Sequence, residues 1–156
     1  SEMCIRDRLI INDNVKLAKE IDADGVHLGQ DDLDIKAARE YLGADKIIGV
    51  SAHNVKEALE AENGGADYLG SGAAFVTSTK TDAGAIDHKV LSDVAHSVKI
   101  PVVAIGGINK DNISQLEGLG LDGVAVVSAI FAADDISSAV IDLKAKAEKV
   151  AESSVK

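Results

Sequence analysis

The chain has one cysteine, one proline and no tryptophan, and its other aromatic residues are two Phe and two Tyr among 156 residues. A single cysteine, Cys4, excludes an internal disulfide and any cysteine-rich metal site. Aromatic residues at 3% exclude the stacking platforms on which single-stranded nucleic acid lies. Positive charge is in the minority: 16 Lys and Arg stand against 26 Asp and Glu, for a net −10. That balance excludes a broad surface for nucleic acid or an anionic membrane. It still allows a local phosphate site built from backbone amides and a lysine or two. No apolar run approaches the ~18 residues of a membrane span. Ser1–Arg8 is charged and lacks the apolar core of a secretory signal. Together these absences point to a cytoplasmic protein with small-molecule partners.

What is present is a rhythm. Hydrophobic residues make up 46% and charged residues 27%, a globular balance in a length that suits one core. Ser1–Arg8 has neither a strand's apolar run nor a helix's stripe, and reads as a non-native or disordered stretch outside the fold. From Leu9 onward, residues 9–156 alternate strands and helices. The strands read as Leu9–Asn12, Gly25–Gly29, Ile47–Ser51 and Tyr68–Gly72; the helices between them as Val15–Ile21, Ile35–Leu42 and Val55–Asn63. A longer polar loop and a helix near His88–Val98 follow. Pro101–Ile105 is apolar without alternation, as in a strand buried on both faces of a parallel sheet. Gly106 and Gly107 come next, and Asn109 and Asp111 offer caps for a helix from about Asn112. Asp122–Ile130 reads as the last strand, ending in Ser128, and Ile136–Ala151 as the last helix. The turns Ala23-Asp24-Gly25, Ala66-Asp67-Tyr68 and Leu121-Asp122-Gly123 echo one another, a loose repeat of whole βα units. The count is about six units, and a closed barrel needs eight. The chain is therefore an open doubly wound sheet or a (β/α) barrel without its first two units, and the abrupt start at Leu9 favours the barrel.

Functional groups of βα folds sit where strands end. Those ends carry Asn12 and Asp13; Gln30, Asp31 and Asp32; Ser51 and His53; Thr77, Thr79 and Lys80; Gly106 and Gly107; Val127 and Ser128. Two carboxylates without histidine or cysteine, Asp13 and Asp32, suit Mg²⁺, a hard cation that shares its oxygen ligands with phosphates. The plainer alternative is that Asp13 and Asp31/Asp32 cap the helices that follow. Thr77-Ser-Thr-Lys80 offers hydroxyls and an ammonium to phosphate oxygens, or is a solvated loop. The glycine turn brings bare amides to an anion, or is an ordinary tight turn. His27, inside a strand, reads as a packed, hydrogen-bonded core histidine; His53 is open to either role; His88 and His96 read as helix surface. No Ser–His–Asp order, Walker loop or metal-binding histidine pair is present in the sequence.

Seven segments in order carry a resemblance: Leu9–Asp13, Gly25–Asp32, Ile48–His53, Ala66–Gly72, Phe75–Lys80, Val103–Ile108 and Gly123–Ile130. Together they resemble the thiamine-phosphate synthases, TIM-barrel enzymes. The resemblance implies the joining of hydroxymethylpyrimidine diphosphate to a thiazole phosphate, giving thiamine phosphate and diphosphate through a pyrimidine carbocation. It implies that Asn12, Ser51 and Lys80 contact the pyrimidine diphosphate. Asp13 and Asp32 would hold Mg²⁺. Thr77, Ser78, Thr79, Gly107, Val127 and Ser128 would bind the thiazole phosphate. No residue is singled out as a general base, since the reaction needs none. Val76 stands where the family usually has proline. The family's first two βα units, with a Gln-x-Arg-x-Lys strand, have no counterpart here. Negligible activity of this chain alone is therefore expected, with Leu9–Asn12 an edge strand that invites misfolding or association, including homo-oligomers. A thiazole tautomerase relative would share the glycine site but not the two aspartates or the Thr-x-Thr-Lys loop. A non-catalytic phosphate-binding fragment is the rival from another class.

Overall fold

The computed structural model describes residues 8–76 and 86–154. Within them, strands β1 (Ile10–Asn12), β2 (Gly25–Leu28), β3 (Ile47–Ala52), β4 (Tyr68–Gly72), β5 (Val102–Ile105) and β6 (Gly123–Ala125) form one sheet. Every pairing is parallel, and the spatial order equals the chain order. A doubly wound sheet reverses direction after its first strands; this one always adds at the same edge. Right-handed crossovers then put all helices on one face. These are α1 (Val15–Glu20), α2 (Ile35–Leu42), α3 (Val55–Gly64), α4 (His88–Ser97), α5 (Ser128–Phe131) and α6 (Ile136–Glu152). The architecture is an α/β partial barrel of the TIM type with six strands.

Alternation along each strand divides the side chains. Val26, Leu28, Ile48, Val50, Leu69, Val102 and Ala104 are buried toward the helices, where Ala38, Ala58, Leu91 and Val94 meet them. The intervening positions face the concave side. Glycines at two of them make room for large neighbours. A Cβ on Gly49 would enter the Tyr68 ring, and one on Gly70 would come within 3.0 Å of His27 Cε1.

The echoed Asp turns have a physical role. Asp24 accepts a hydrogen bond from Leu9 N (2.7 Å), Asp67 from Ile48 N (2.8 Å) and Asp122 from Val102 N (2.8 Å). Each aspartate precedes one strand and ties down the start of the strand beside it. Arg39 adds a second bond to Asp67 (2.7 Å) and reaches the carbonyls of Lys46 and Gly65.

Two expected elements differ. No α-helix begins near Asn112; Ile113–Leu116 is a single 3-10 turn, and Gly118 and Gly120 behind it hold φ of 76° and 82°, which a helix cannot continue through. The last strand stops at Ala125, and Ser128 opens α5 instead of closing β6. An apolar run serves a short helix as well as a strand, so composition alone does not separate them.

Candidate functional site

Parallel strands send all their C-terminal ends to one side, so the loops after β1 to β6 share one mouth. The first half of its rim is made of side chains. Asn12 closes β1, and its Nδ2 donates to Asp13 Oδ2 (2.7 Å). Asp13 adopts φ +62°, and its own N–H donates to the His27 carbonyl (2.8 Å). Asp32 turns back on its loop to accept from Gly29 N (2.6 Å). Ser51, in β3, lies with its Oγ 3.0 Å from His27 Nε2, and Gln30 Nε2 donates to the Ser51 carbonyl (2.5 Å). His27 Nδ1 lies 2.9 Å from the Tyr68 hydroxyl, and the two rings are tilted with centroids 5.5 Å apart. Burial pushes the His27 ring below its ordinary pKa, against the opposing pull of Asp13 and then Asp32. Both carboxylates therefore lie within electrostatic reach of one imidazole. Burial also raises the Tyr68 hydroxyl.

The aspartates are not helix caps. Asn14 caps α1, accepting from Leu17 N (2.9 Å), and Asp34 caps α2, accepting from Lys36 N and Ala37 N. Neither Asp13 nor Asp31 or Asp32 is spent on that task. Among the described residues, no group of three or more His, Cys, Asp or Glu forms an all-protein metal cage. Two carboxylates with a phosphorylated ligand and water still suit Mg²⁺, which dehydrates reluctantly.

The second half of the rim is main chain. Gly106 (φ 101°) and Gly107 (φ 65°) follow β5 in the left-handed region. Phe75 N donates to Gly106 O (3.1 Å) and Ala74 N to Ile105 O (2.8 Å), so the β4 loop leaves across this turn. A Cβ on Gly107 would come 2.7 Å from Phe75 O. Val127 precedes α5 without a side-chain cap, so Ser128 starts the helix with its first amides uncapped by a side chain. Ser128 and Val127 are exposed. Thr77, Ser78, Thr79 and Lys80 lie outside the described residues; their loop departs at Val76 beside Gly107 and returns where Ile86 N bonds Ala73 O (2.8 Å).

The remaining histidines are structural. His53 bonds Glu57 through N–H (2.8 Å) and ring (3.0 Å). His88 is not at the surface as its helix position suggested: it is half-buried, edge-on to Phe75, with Nε2 3.3 Å from Ala74 O. His96 is exposed. Two clefts flank the mouth without filling it. One, of about 430 Å³, touches Asp32 but runs behind the sheet past Leu28 and Val50. The other, of about 570 Å³, runs from Asn109 and Ser128 along α6. Sequence reasoning missed Tyr68 and the place of His27 beside Ser51. The one available signal was the small residue at Gly49 and Gly70, opposite bulky neighbours.

The sequence profile described as thiamine monophosphate synthase matches residues 5–130. The chain belongs to that family. A thiamine-phosphate synthase of Clostridium acetobutylicum is 56% identical over 128 residues, covering 82% of this chain and 61% of its own length. That of Clostridium beijerinckii is 52% identical over 136 residues, covering 87% and 65%. Among solved structures, a thiamine phosphate pyrophosphorylase of Pyrococcus furiosus superposes with a TM-score of 0.81 at 47% identity, over 90% of this chain and 67% of that one. The chain thus spans about two thirds of the length of its thiamine monophosphate synthase relatives. No helix among the described residues is long and apolar enough to cross a membrane.

Proposed function

We propose that this chain carries the ligand-gripping rim of a thiamine-phosphate synthase, the enzyme that condenses hydroxymethylpyrimidine diphosphate with thiazole phosphate. The observation that supports this reading is that Asp13, whose N–H bonds the His27 carbonyl, and Asp32, whose carboxylate accepts from Gly29 N, follow strands at the same sheet end as Gly107 and Ser128. Asn12 and Ser51 contact the pyrimidine diphosphate, joined by Lys80 from the β4 loop. Asp13 and Asp32 would hold Mg²⁺, which when bound offsets the charge of the departing diphosphate. Gly107, Val127 and Ser128 offer main-chain amides to the thiazole phosphate, and Thr77, Ser78 and Thr79 offer hydroxyls to it. Bare amides at a left-handed glycine turn approach phosphate oxygens more closely than side chains allow. Positioning of two ligands, and stabilisation of the leaving charge, are what such a displacement asks of a protein.

β1 and β6 are the two edges of the sheet, and Ile105 on its concave face is 44% exposed. Water therefore reaches the face where the cation would form, so binding without turnover is the expectation for these 156 residues alone. Calorimetric titration with hydroxymethylpyrimidine diphosphate tests the reading. Saturable binding that requires Mg²⁺ and disappears in Asp13→Asn is expected; binding indifferent to both would refute it. Incubation with both substrates and Mg²⁺ should yield no thiamine phosphate above background, and robust product would contradict the binding-only expectation.

A further inference from the structure

His27 and Tyr68 are left without a task by the proposed reaction, yet the backbone is shaped to hold them. Gly49 clears space for the Tyr68 ring and Gly70 for the His27 ring. The imidazole stands between two hydroxyls, with Nδ1 2.9 Å from Tyr68 and Nε2 3.0 Å from Ser51. A neutral ring has one donor and one acceptor nitrogen, so two patterns satisfy both contacts. In the first, Tyr68 donates to Nδ1 and Nε2–H donates to Ser51. In the second, Ser51 donates to Nε2 and Nδ1–H donates to the phenol oxygen. The phenol is the stronger acid of the two hydroxyls and so the better donor. Its oxygen, conjugated with the ring, is the poorer acceptor. The first pattern gives each group its stronger role. It also occupies a lone pair of Ser51 and turns the serine proton away from His27.

We propose that His27, oriented by Tyr68, is a positioning residue that fixes the Ser51 hydroxyl as a hydrogen-bond donor toward the mouth. The ligand atom it selects is an acceptor, such as an unprotonated ring nitrogen of the pyrimidine. The ligand half of this inference rests on the proposed contact between Ser51 and the pyrimidine diphosphate; the direction of the bonds does not.

Two measurements test it. Ring nitrogen correlation spectra of the ¹⁵N-labelled chain at neutral pH, with His27 assigned by its loss in His27→Gln, should show the Nε2–H tautomer. An Nδ1–H ring would overturn the proposal. Titration with hydroxymethylpyrimidine diphosphate and Mg²⁺ supplies the second. His27→Leu and Ser51→Ala should each weaken binding about tenfold, the loss of one hydrogen bond, and the double variant no further. His27→Gln, whose carboxamide N–H can replace Nε2–H, should recover most of the loss. Additive losses in the double variant would overturn the positioning role. Absence of binding by the unaltered chain would instead refute the functional reading, and the ring spectrum decides the bond direction independently of it.

Discussion

Aspartates stand at both ends of the sheet and do different work there. Where strands begin, Asp24, Asp67 and Asp122 accept from amides 15, 19 and 20 residues away. Where strands finish, Asp13 and Asp32 are bonded by groups one and three residues away. A bond across twenty residues ties one strand to the next and opposes unfolding. A bond inside a turn shapes the turn and keeps the carboxylate at the rim. One residue type thus staples one end and, under the proposed function, equips the other, the division between stability and chemistry that (β/α) barrels show.

The comparison breaks most visibly if the staples are removed together. Asp24→Ala, Asp67→Ala and Asp122→Ala remove bonds to three different amides, those of Leu9, Ile48 and Val102, and should add. At roughly 1.5–3 kcal/mol for each bond to a charged acceptor, the triple variant consumes most of a domain's stability. Thermal denaturation should find it largely unfolded at 25 °C, and a native-like transition would show the staples to be ornamental. Gly107→Ala comes next. The left-handed conformation costs an alanine about 1–2 kcal/mol, and crowding against Phe75 O adds roughly as much again. Urea midpoints read that loss; an unchanged midpoint would mean the turn can relax. Asp13→Asn and Asp32→Asn should move stability by less than about 0.5 kcal/mol while abolishing Mg²⁺-dependent diphosphate binding. A stability loss equal to that of Asp67→Ala would erase the distinction between the two ends.

The smallest effect is at Glu57. Burial pushes its carboxyl up, but bonds from His53 N–H, the His53 ring and Asn54 outweigh this and hold it below its ordinary 4.5. A depressed carboxylate contributes stability that is full above the unfolded value and is lost as pH falls through the folded one. Glu57→Gln should therefore flatten the fall in stability below about pH 4.5, with little change at pH 7. An unchanged acid limb would remove Glu57 from the account.

Much of this was legible. α2 and β4 occupy the residues their periodicity marked, because a strand buried against helices and an amphipathic helix leave distinct patterns. The Asp turns stood out as a repeat, although only the fold shows that each carboxylate reaches the neighbouring strand. The rim residues Asn12, Asp13, Asp32, Ser51, Gly107 and Ser128 could be named because strand ends can be found without knowing how strands pack. What failed was of two kinds. Local hydropathy cannot tell a strand from one turn of helix, hence the overlong last strand and the missing helix after Asn112. Partners 24 and 41 residues apart, as in Ser51–His27–Tyr68, leave no local signature beyond the glycines that make room for the rings, Gly49 and Gly70. His88 belongs with these partners, since the Ala74 carbonyl that its ring meets lies 14 residues back and Phe75 packs edge-on against it.

The central claim is that phosphorylated ligands are gripped at the C-terminal mouth, with main-chain amides forming one side of the grip. Calorimetric titration of the chain with thiazole phosphate tests it most directly, alongside Asp13→Asn and a Gly107→Ala variant shown to be folded by circular dichroism. The account predicts saturable binding by the unaltered chain and by Asp13→Asn, and its loss in Gly107→Ala. No saturable binding by the folded chain, or undiminished binding in Gly107→Ala, would contradict it.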